Sequence, residues 1–303
     1  MILGQNTPRQ IKLFCSLLGY SRQAYYQYRK VAERQALAQE LIVQRVLHIR
    51  NTQKKIGTRK LMVLLQPFMQ EHGVIIGRDA LFTLLSDYGL LIRKRKRRIP
   101  RTTNSNHWLR LYPNLIKDII PSSPNQLWVS DITYITLESS FAYLSLITDA
   151  YSHMVVGYYL SEDLCAAGCV KALKMALKNL PAEAYLIHHS DRGIQYCSTE
   201  YVEVLHNRKI SISMTQTSDP RDNAIAERMN GILKDELLEA QFTTYQEALD
   251  SVAKAIEVYN YQRPHSSVDM LMPAIAHTQS GILKKRWKNY YKPTQKKEVT
   301  MQT

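Results

Sequence analysis

Residues 126–161 read QLWVSDITYITLESSFAYLSLITDAYSHMVVGYYLS. Three runs stand in tight succession: QLWVSDITYITL, FAYLSLITDAYS and HMVVGYYLS. Each is rich in Val, Ile, Thr, Tyr and Phe, which predicts an antiparallel three-stranded meander. Asp131 lies inside the first run, between Val129 and Thr133. An ionised carboxylate in such a strand is costly unless a metal or another cation offsets it.

Downstream, the period changes. A helix is expected at about 162–179, with Cys165, Val170, Leu173 and Leu177 inward, followed by a strand, AYLIHHSD, at 184–191. A helix near 198–208 leads to a fifth strand, ISISMT, at 210–215, and two further helices follow at about 222–240 and 244–260. Three strands, helix, strand, helix, strand, helix is the order of the α/β ribonuclease-H-like fold, a mixed five-stranded sheet with helices on both faces. The core so defined spans 125–280. Asp191 ends the fourth strand, where open α/β sheets place ligands. Adjacent central strands bring Asp131 and Asp191 together, and the helix DNAIAERMNGILKDE, 222–236, brings Glu227 over them. At about 100° per residue, Asn223, Glu227, Asn230 and Lys234 share one side of that helix. Ile225, Met229 and Ile232 line the other and face a core.

Upstream, the chain is helical and basic. Residues 8–30 predict a short helix, a turn at Gly19, Ser21 as N-cap, and a second helix bearing Tyr25, Tyr26, Tyr28 and Arg29. This makes 1–31 an N-terminal helix-turn-helix-like segment. Residues 32–92 follow as an all-α helix-turn-helix domain. It comprises a helix at 32–50, a helix at 58–71 that Pro67 is expected to bend or end, a turn at Gly73–Gly77, and a helix at 78–88 stopped by Gly89. Such a second helix would enter the major groove, whereas a plain helical hairpin is the bland alternative. The run Arg93, Lys94, Arg95, Lys96, Arg97 and Arg98 then suits phosphate contact. Residues 93–124 read as a basic, Pro-rich linker with a short helix near 113–119, and 281–303 as a basic tail.

Charge is unevenly spread. Residues 1–100 carry 19 Lys/Arg and 5 Asp/Glu (+14), residues 101–250 carry 12 and 18 (−6), and residues 251–303 carry 9 and 3 (+6). Basic arms suggest nucleic acid, and an acidic middle suggests a place that holds cations. The four cysteines show neither CxxC pairs nor zinc-finger spacing, so no disulfide framework or structural zinc is indicated. Neither a signal-peptide plan nor a membrane span is legible, which fits a reducing cytoplasm.

Three converging carboxylates form a hard oxygen site for Mg²⁺ or Mn²⁺. Two such ions about 3.5–4 Å apart can serve the attacking and leaving oxygens of a phosphodiester. No His/Cys cluster competes for the metal. Without a Gly-rich phosphate loop, nucleotide hydrolysis is not suggested. Among 26 acids a D…D…E triple arises easily by chance, so the surrounding motifs carry the specificity.

Those motifs are WVSDITYI, HHSDRGIQYCS, DNAIAERMNGILKDE and YNYQRPHSS, preceded by LGYSRQAYY. Over nearly its whole length the chain resembles integrase-core transposases of bacterial insertion sequences, the IS-three family, in the part encoded by the second reading frame. The resemblance implies a DNA transposase that binds terminal inverted repeats, cleaves 3′ ends and joins them to DNA with divalent metal. Asp131, Asp191 and Glu227 carry over as catalytic residues and metal ligands. The implied partners are double-stranded DNA, as element ends and target, further copies of the chain on that DNA, and an upstream-frame fusion partner. The implied setting is the bacterial cytoplasm at the nucleoid, with no membrane. A metal-dependent nuclease of the same fold and a catalytically inactive DNA-binding regulator are the alternatives.

The other polar residues take roles around this centre. Lys234 is placed to hold a terminal phosphate. Asn223 and Asn230 bind substrate or orient a carboxylate, and Asn223 alternatively caps its helix. His189 either contacts substrate or bonds within the fold, and His188 is structural. Arg263 and His265 either contact DNA or tie the last helix to the core.

Overall fold

A computed structural model describes residues 7–92, 108–117, 119–181, 184–216 and 223–287. The chain divides into two compact units, Met1–Thr52 with Gly57–Arg93, and Gln53–Ile56 with Lys94–Thr303.

In the first unit, α1 (Pro8–Leu18) ends at Gly19, whose φ of 72° suits a residue without Cβ. Ser21 then caps α2 (Arg22–Arg50), its Oγ accepting from the Ala24 amide at 3.1 Å. The two helices expected on either side of residue 31 are one. No Gly or Pro interrupts residues 22–50, so nothing ends the first before the second begins. α3 (Thr58–His72) continues past Pro67 and stops only at Gly73, φ 62°. Gly77 precedes α4 (Arg78–Asp87). Ile42, Val43 and Val46 of α2 are buried, as are Leu61 and Leu65 of α3 and Leu81, Leu84 and Leu85 of α4. The basic run 93–98 lies outside the described residues.

The second unit is built on five strands: β1 (Leu127–Thr136), β2 (Phe141–Asp149), β3 (Val155–Ser161), β4 (Ile187–Ser190) and β5 (Ser211–Met214). Their order is β3-β2-β1-β4-β5. β1, β2 and β3 form the expected antiparallel meander, while β4 and β5 run parallel to β1. α5 (Ala166–Leu177) and α6 (Thr199–Asn207) cover one face, where Trp128, Ile147, Leu173 and Tyr201 cluster. α7 (Ala224–Ile232) and α8 (Tyr245–Tyr261) cover the other, where Leu144, Leu146, Met229, Ile232, Val252 and Ile256 cluster. α9 (Pro273–Ala276) follows. Cys165, expected inward, is the exposed N-cap of α5.

Two departures from the sequence reading bear on the site. α7 does not continue to 240: after Ile232 the backbone widens into one π turn, Leu233–Leu237, closed by the Leu238 amide on the Leu233 carbonyl at 2.8 Å. Residues 109–116 take no helix and instead dock on the core as coil. Leu109 and Tyr112 join the Trp128 cluster, the Leu115 amide bonds Ser213 Oγ at 2.9 Å, and the Met214 amide bonds the Pro113 carbonyl at 3.3 Å. At the opposite edge, the Asn260 side chain both accepts from the Val155 amide (3.0 Å) and donates to its carbonyl (2.9 Å).

The motif YNYQRPHSS folds onto the β2–β3 turn. Tyr259 Oη donates to the His153 carbonyl at 2.9 Å, and His265 stacks on His153 with ring centroids 4.5 Å apart. Residues 284–287, within the expected tail, also fold back. The Asp269 amide bonds the Lys284 carbonyl at 2.9 Å, and Trp287 Nε1 donates to Ser267 Oγ at 3.0 Å.

Candidate active site

Side-chain alternation puts Asp131 on the face of β1 that α7 covers, together with Leu127, Val129 and Ile135. The parallel register pairs Leu127 with Ile187 and Val129 with His189, an offset of 60 residues. Carried past the end of β4, the same offset sets Asp191 against Asp131. Register thus points the two carboxylates at one another, and the charge of Asp191 acts on Asp131.

Each is held. Asp131 Oδ1 accepts from the Ile132 amide at 2.9 Å, and Oδ2 from Asn230 Nδ2 at 2.7 Å. Asp191 Oδ1 accepts from the Gly193 amide at 3.0 Å. A Cβ on Gly193 would itself sit 3.0 Å from that oxygen, so a larger residue would press on the carboxylate. Burial and the neighbouring Asp191 push the Asp131 carboxyl up to about 7, and Glu227 adds to the rise; the Ile132 and Asn230 donors oppose it. Glu227 lies exposed in the first turn of α7. The three acids thus share one electrostatic neighbourhood.

Among the described residues no three acidic, imidazole or thiol groups stand close enough to form a finished three-ligand cage. The donor chemistry nevertheless fits a hard divalent cation: carboxylate oxygens, mutually repelling, with one held half-protonated near neutral pH when nothing positive lies between them.

The asparagines left open by the sequence tie α7 to β1. Asn223 is buried and donates to the Ser130 carbonyl at 2.9 Å; it stands at the N-cap position of α7 without making a capping bond. Asn230, also buried, fixes Asp131. Lys234 Nζ donates to Thr133 Oγ1 at 3.3 Å, so the lysine lies along β1 two residues from Asp131, on the same face. Burial lowers its pKa from the usual lysine value.

One expected contact is corrected. Arg263 is 1% exposed and ion-paired with Glu236 at 2.7 Å, so it does not reach DNA from this position. His189 is fully buried with Nδ1 2.8 Å from Ser213 Oγ, on the face of the sheet that carries Asp131. His188 is structural: its Nε2 lies 2.6 Å from Ser130 Oγ and 2.9 Å from Tyr201 Oη, beneath the strand that carries Asp131.

Sequence reasoning passed over Thr133 and Glu236. Thr133 shares strand parity with Asp131. Glu236 is an acid on the core side of a helix, and that misplacement was its signal.

The comparisons with known proteins agree with this geometry. Two integrase core domain models match residues 121–220 and 208–273. The chain is 38% identical over 266 residues to the insertion element IS600 uncharacterized 31 kDa protein of Shigella sonnei, covering 86% of this chain and 96% of that protein. It is 31% identical over 150 residues to a putative transposase for insertion sequence element IS986/IS6110 of Mycobacterium tuberculosis, covering 47% of this chain and 54% of that one. It is 33% identical over 183 residues to transposase InsF for insertion sequence IS3A of Escherichia coli, covering 59% and 64%. Fold and matches define an integrase-core enzyme, a DDE polynucleotidyl transferase. The chain belongs to the IS-three family of insertion-sequence transposases. Among the described residues no helix is long and apolar enough to cross a membrane.

Proposed function

We propose that this transposase binds the terminal inverted repeats of its own element, cleaves their 3′ ends and joins those ends to target DNA at the surface shared by Asp131, Asp191 and Glu227. The observation that carries the reading is the register-fixed pair Asp131 and Asp191, with α7 pinned above it through Asn230 and bearing Glu227. These three carboxylates would hold Mg²⁺ or Mn²⁺, two ions in all, which when bound supply Lewis-acid activation and neutralise charge at the phosphorus.

The chain's own groups do the rest. Asn230 keeps Asp131 aimed toward α7, and Asn223 fixes the start of that helix against β1. Lys234 holds the phosphate of the DNA end, its ammonium already drawn to the Asp131 side of β1. The helical unit α1–α4 reads the repeats, and Arg93, Lys94, Arg95, Lys96, Arg97 and Arg98 add phosphate contacts. Several copies act together on paired ends, in the bacterial cytoplasm at the nucleoid, either as this chain or joined to an upstream frame.

Glu227→Gln tests the assignment. Cleavage and joining of an end-bearing duplex should vanish while DNA binding persists; full activity of this variant in Mg²⁺ refutes it. Wild-type binding without cleavage at any Mg²⁺ or Mn²⁺ concentration would instead mark a regulator. Cleavage without joining would mark a nuclease.

A further inference from the structure

We infer that Arg263 and Glu236 are positioning residues that set Lys234 beside the active carboxylates, an inference resting on the reading of Lys234 as a DNA-phosphate contact. Arg263 follows α8 and sits in the motif YNYQRPHSS. Its Nε and Nη2 donate to Glu236 Oε2 at 3.1 and 2.7 Å, and its guanidinium carbon lies 5.6 Å from the centre of the Tyr259 ring. Glu236 belongs to the π turn Leu233–Leu237, and so does Lys234.

The two residues leave this turn on different sides. The π turn rotates by less than about 100° per residue, so the contacts of each side chain decide its direction. Lys234 reaches Thr133 on the Asp131 face of β1, while Glu236, partly buried, turns toward the fully buried Arg263. A guanidinium buried to 1% exposure needs an anion, and Glu236 provides it; the planar fork of Arg263 fixes direction as well as charge. A π turn is rare, so it persists where its surroundings hold it. Here the holding comes from behind through Arg263–Glu236, and from the buried Leu233 and Leu238. Without that hold from behind, the turn would be free to shift, and Lys234 would lose its fixed place at Thr133.

The experiment is a double-mutant cycle in the full chain. Glu236→Gln and Arg263→Lys are each made in the wild-type and in the Lys234→Gln background. The probe is a labelled duplex bearing the terminal sequence of the chain's own element, with circular dichroism as the check on folding. Because breaking a buried pair is destabilising, Glu236→Gln with Arg263→Met serves as a second variant that removes both charges. In the wild-type background each change should lower cleavage by about tenfold or more. It should also reduce the slope of log binding constant against log salt by about one, the signature of one lost phosphate contact. In the Lys234→Gln background the same changes should do nothing further. Equal losses in both backgrounds, with an unchanged salt slope, would overturn the inference while leaving Lys234 as a contact. A Lys234→Gln variant with unaltered cleavage and slope would overturn the reading of Lys234 itself, and the inference with it.

Discussion

Replacing Asn230 with leucine isolates what one amide does for the catalytic carboxylate. Leucine is close to asparagine in size, so α7 stays seated on β1, but the donor 2.7 Å from Asp131 Oδ2 disappears. The change also removes a buried carbonyl oxygen, Asn230 Oδ1, that has no partner among the described residues, so the stability loss is partly offset. A hydrogen bond to a charged group contributes about 1.5–3 kcal/mol, and the Ile132 amide remains on the other oxygen. That energy corresponds to a factor of about 10–150 against the ionised carboxylate. The carboxyl already sits at about 7, and losing this donor moves it further up, so protons compete harder with a divalent ion. The expected outcome near neutral pH is a Mg²⁺ requirement for strand cleavage raised by about 6–80-fold, since the wild-type carboxyl is already partly protonated there, recovered by added Mg²⁺ or by raising the pH, with little change in the melting temperature. A Mg²⁺ titration of cleavage, run beside thermal unfolding, reads both. An unchanged ion requirement would refute the reasoning, and so would a loss that excess Mg²⁺ cannot recover.

Other outcomes follow from the same structure. Gly157→Ala places a Cβ 2.4 Å from the Ala172 carbonyl and 2.8 Å from Ala176 Cβ, so β3 and α5 must part; a loss of about 3 kcal/mol is expected, seen as a melting point lower by roughly 6–12 °C, and an unchanged melting point would contradict this packing. Divalent ions should protect in a pH-dependent way. Asp131 is raised from 3.8 to about 7, so its contribution to stability is full below about 4 and lost as pH rises through 7; Mg²⁺ should therefore raise the melting temperature clearly at pH ~8 and hardly at pH ~5, and equal shifts would count against the site. His188 carries the opposite sign: burial lowers it from 6.5 to about 3, so the unfolded chain takes up the proton first. Its contribution is complete above about 6.5 and falls by about 1.4 kcal/mol per pH unit below that, and His188→Gln should flatten the urea midpoint's decline with acid.

The sequence carried the sheet because alternation survives in a single chain: β1–β3 were legible, as was an acid standing where an acid is expensive. The pairing of Asp131 with Asp191 was legible from element order, and the register of β1 on β4 made it geometric. What escaped depends on contacts distant in sequence. Asn223 is a fit N-cap by type, yet its amide is spent on Ser130, 93 residues away. Arg263 reads as a surface cation until Glu236 is seen behind α7. The π turn leaves no trace in helix propensity, because LKDEL suits an ordinary helix. Residues 109–116 look like linker, since prolines and small polar residues mark coil without saying whether the coil is docked. The uninterrupted α2 was missed for a simpler reason: two amphipathic stretches were read as two helices although no breaker lay between them.

The sheet's two outer strands are dressed in different ways. On β3 the Asn260 amide offers one acceptor and one donor to Val155, the same pair a neighbouring strand would offer. On β5 the segment around Pro113 lies alongside and takes the Met214 amide. An unclothed strand edge is an invitation to pair with any extended chain, and crowding copies of one protein onto a DNA makes such chains abundant. The side-chain mimic at Val155 and the proline-bearing segment at Met214 each occupy a position where such pairing could begin.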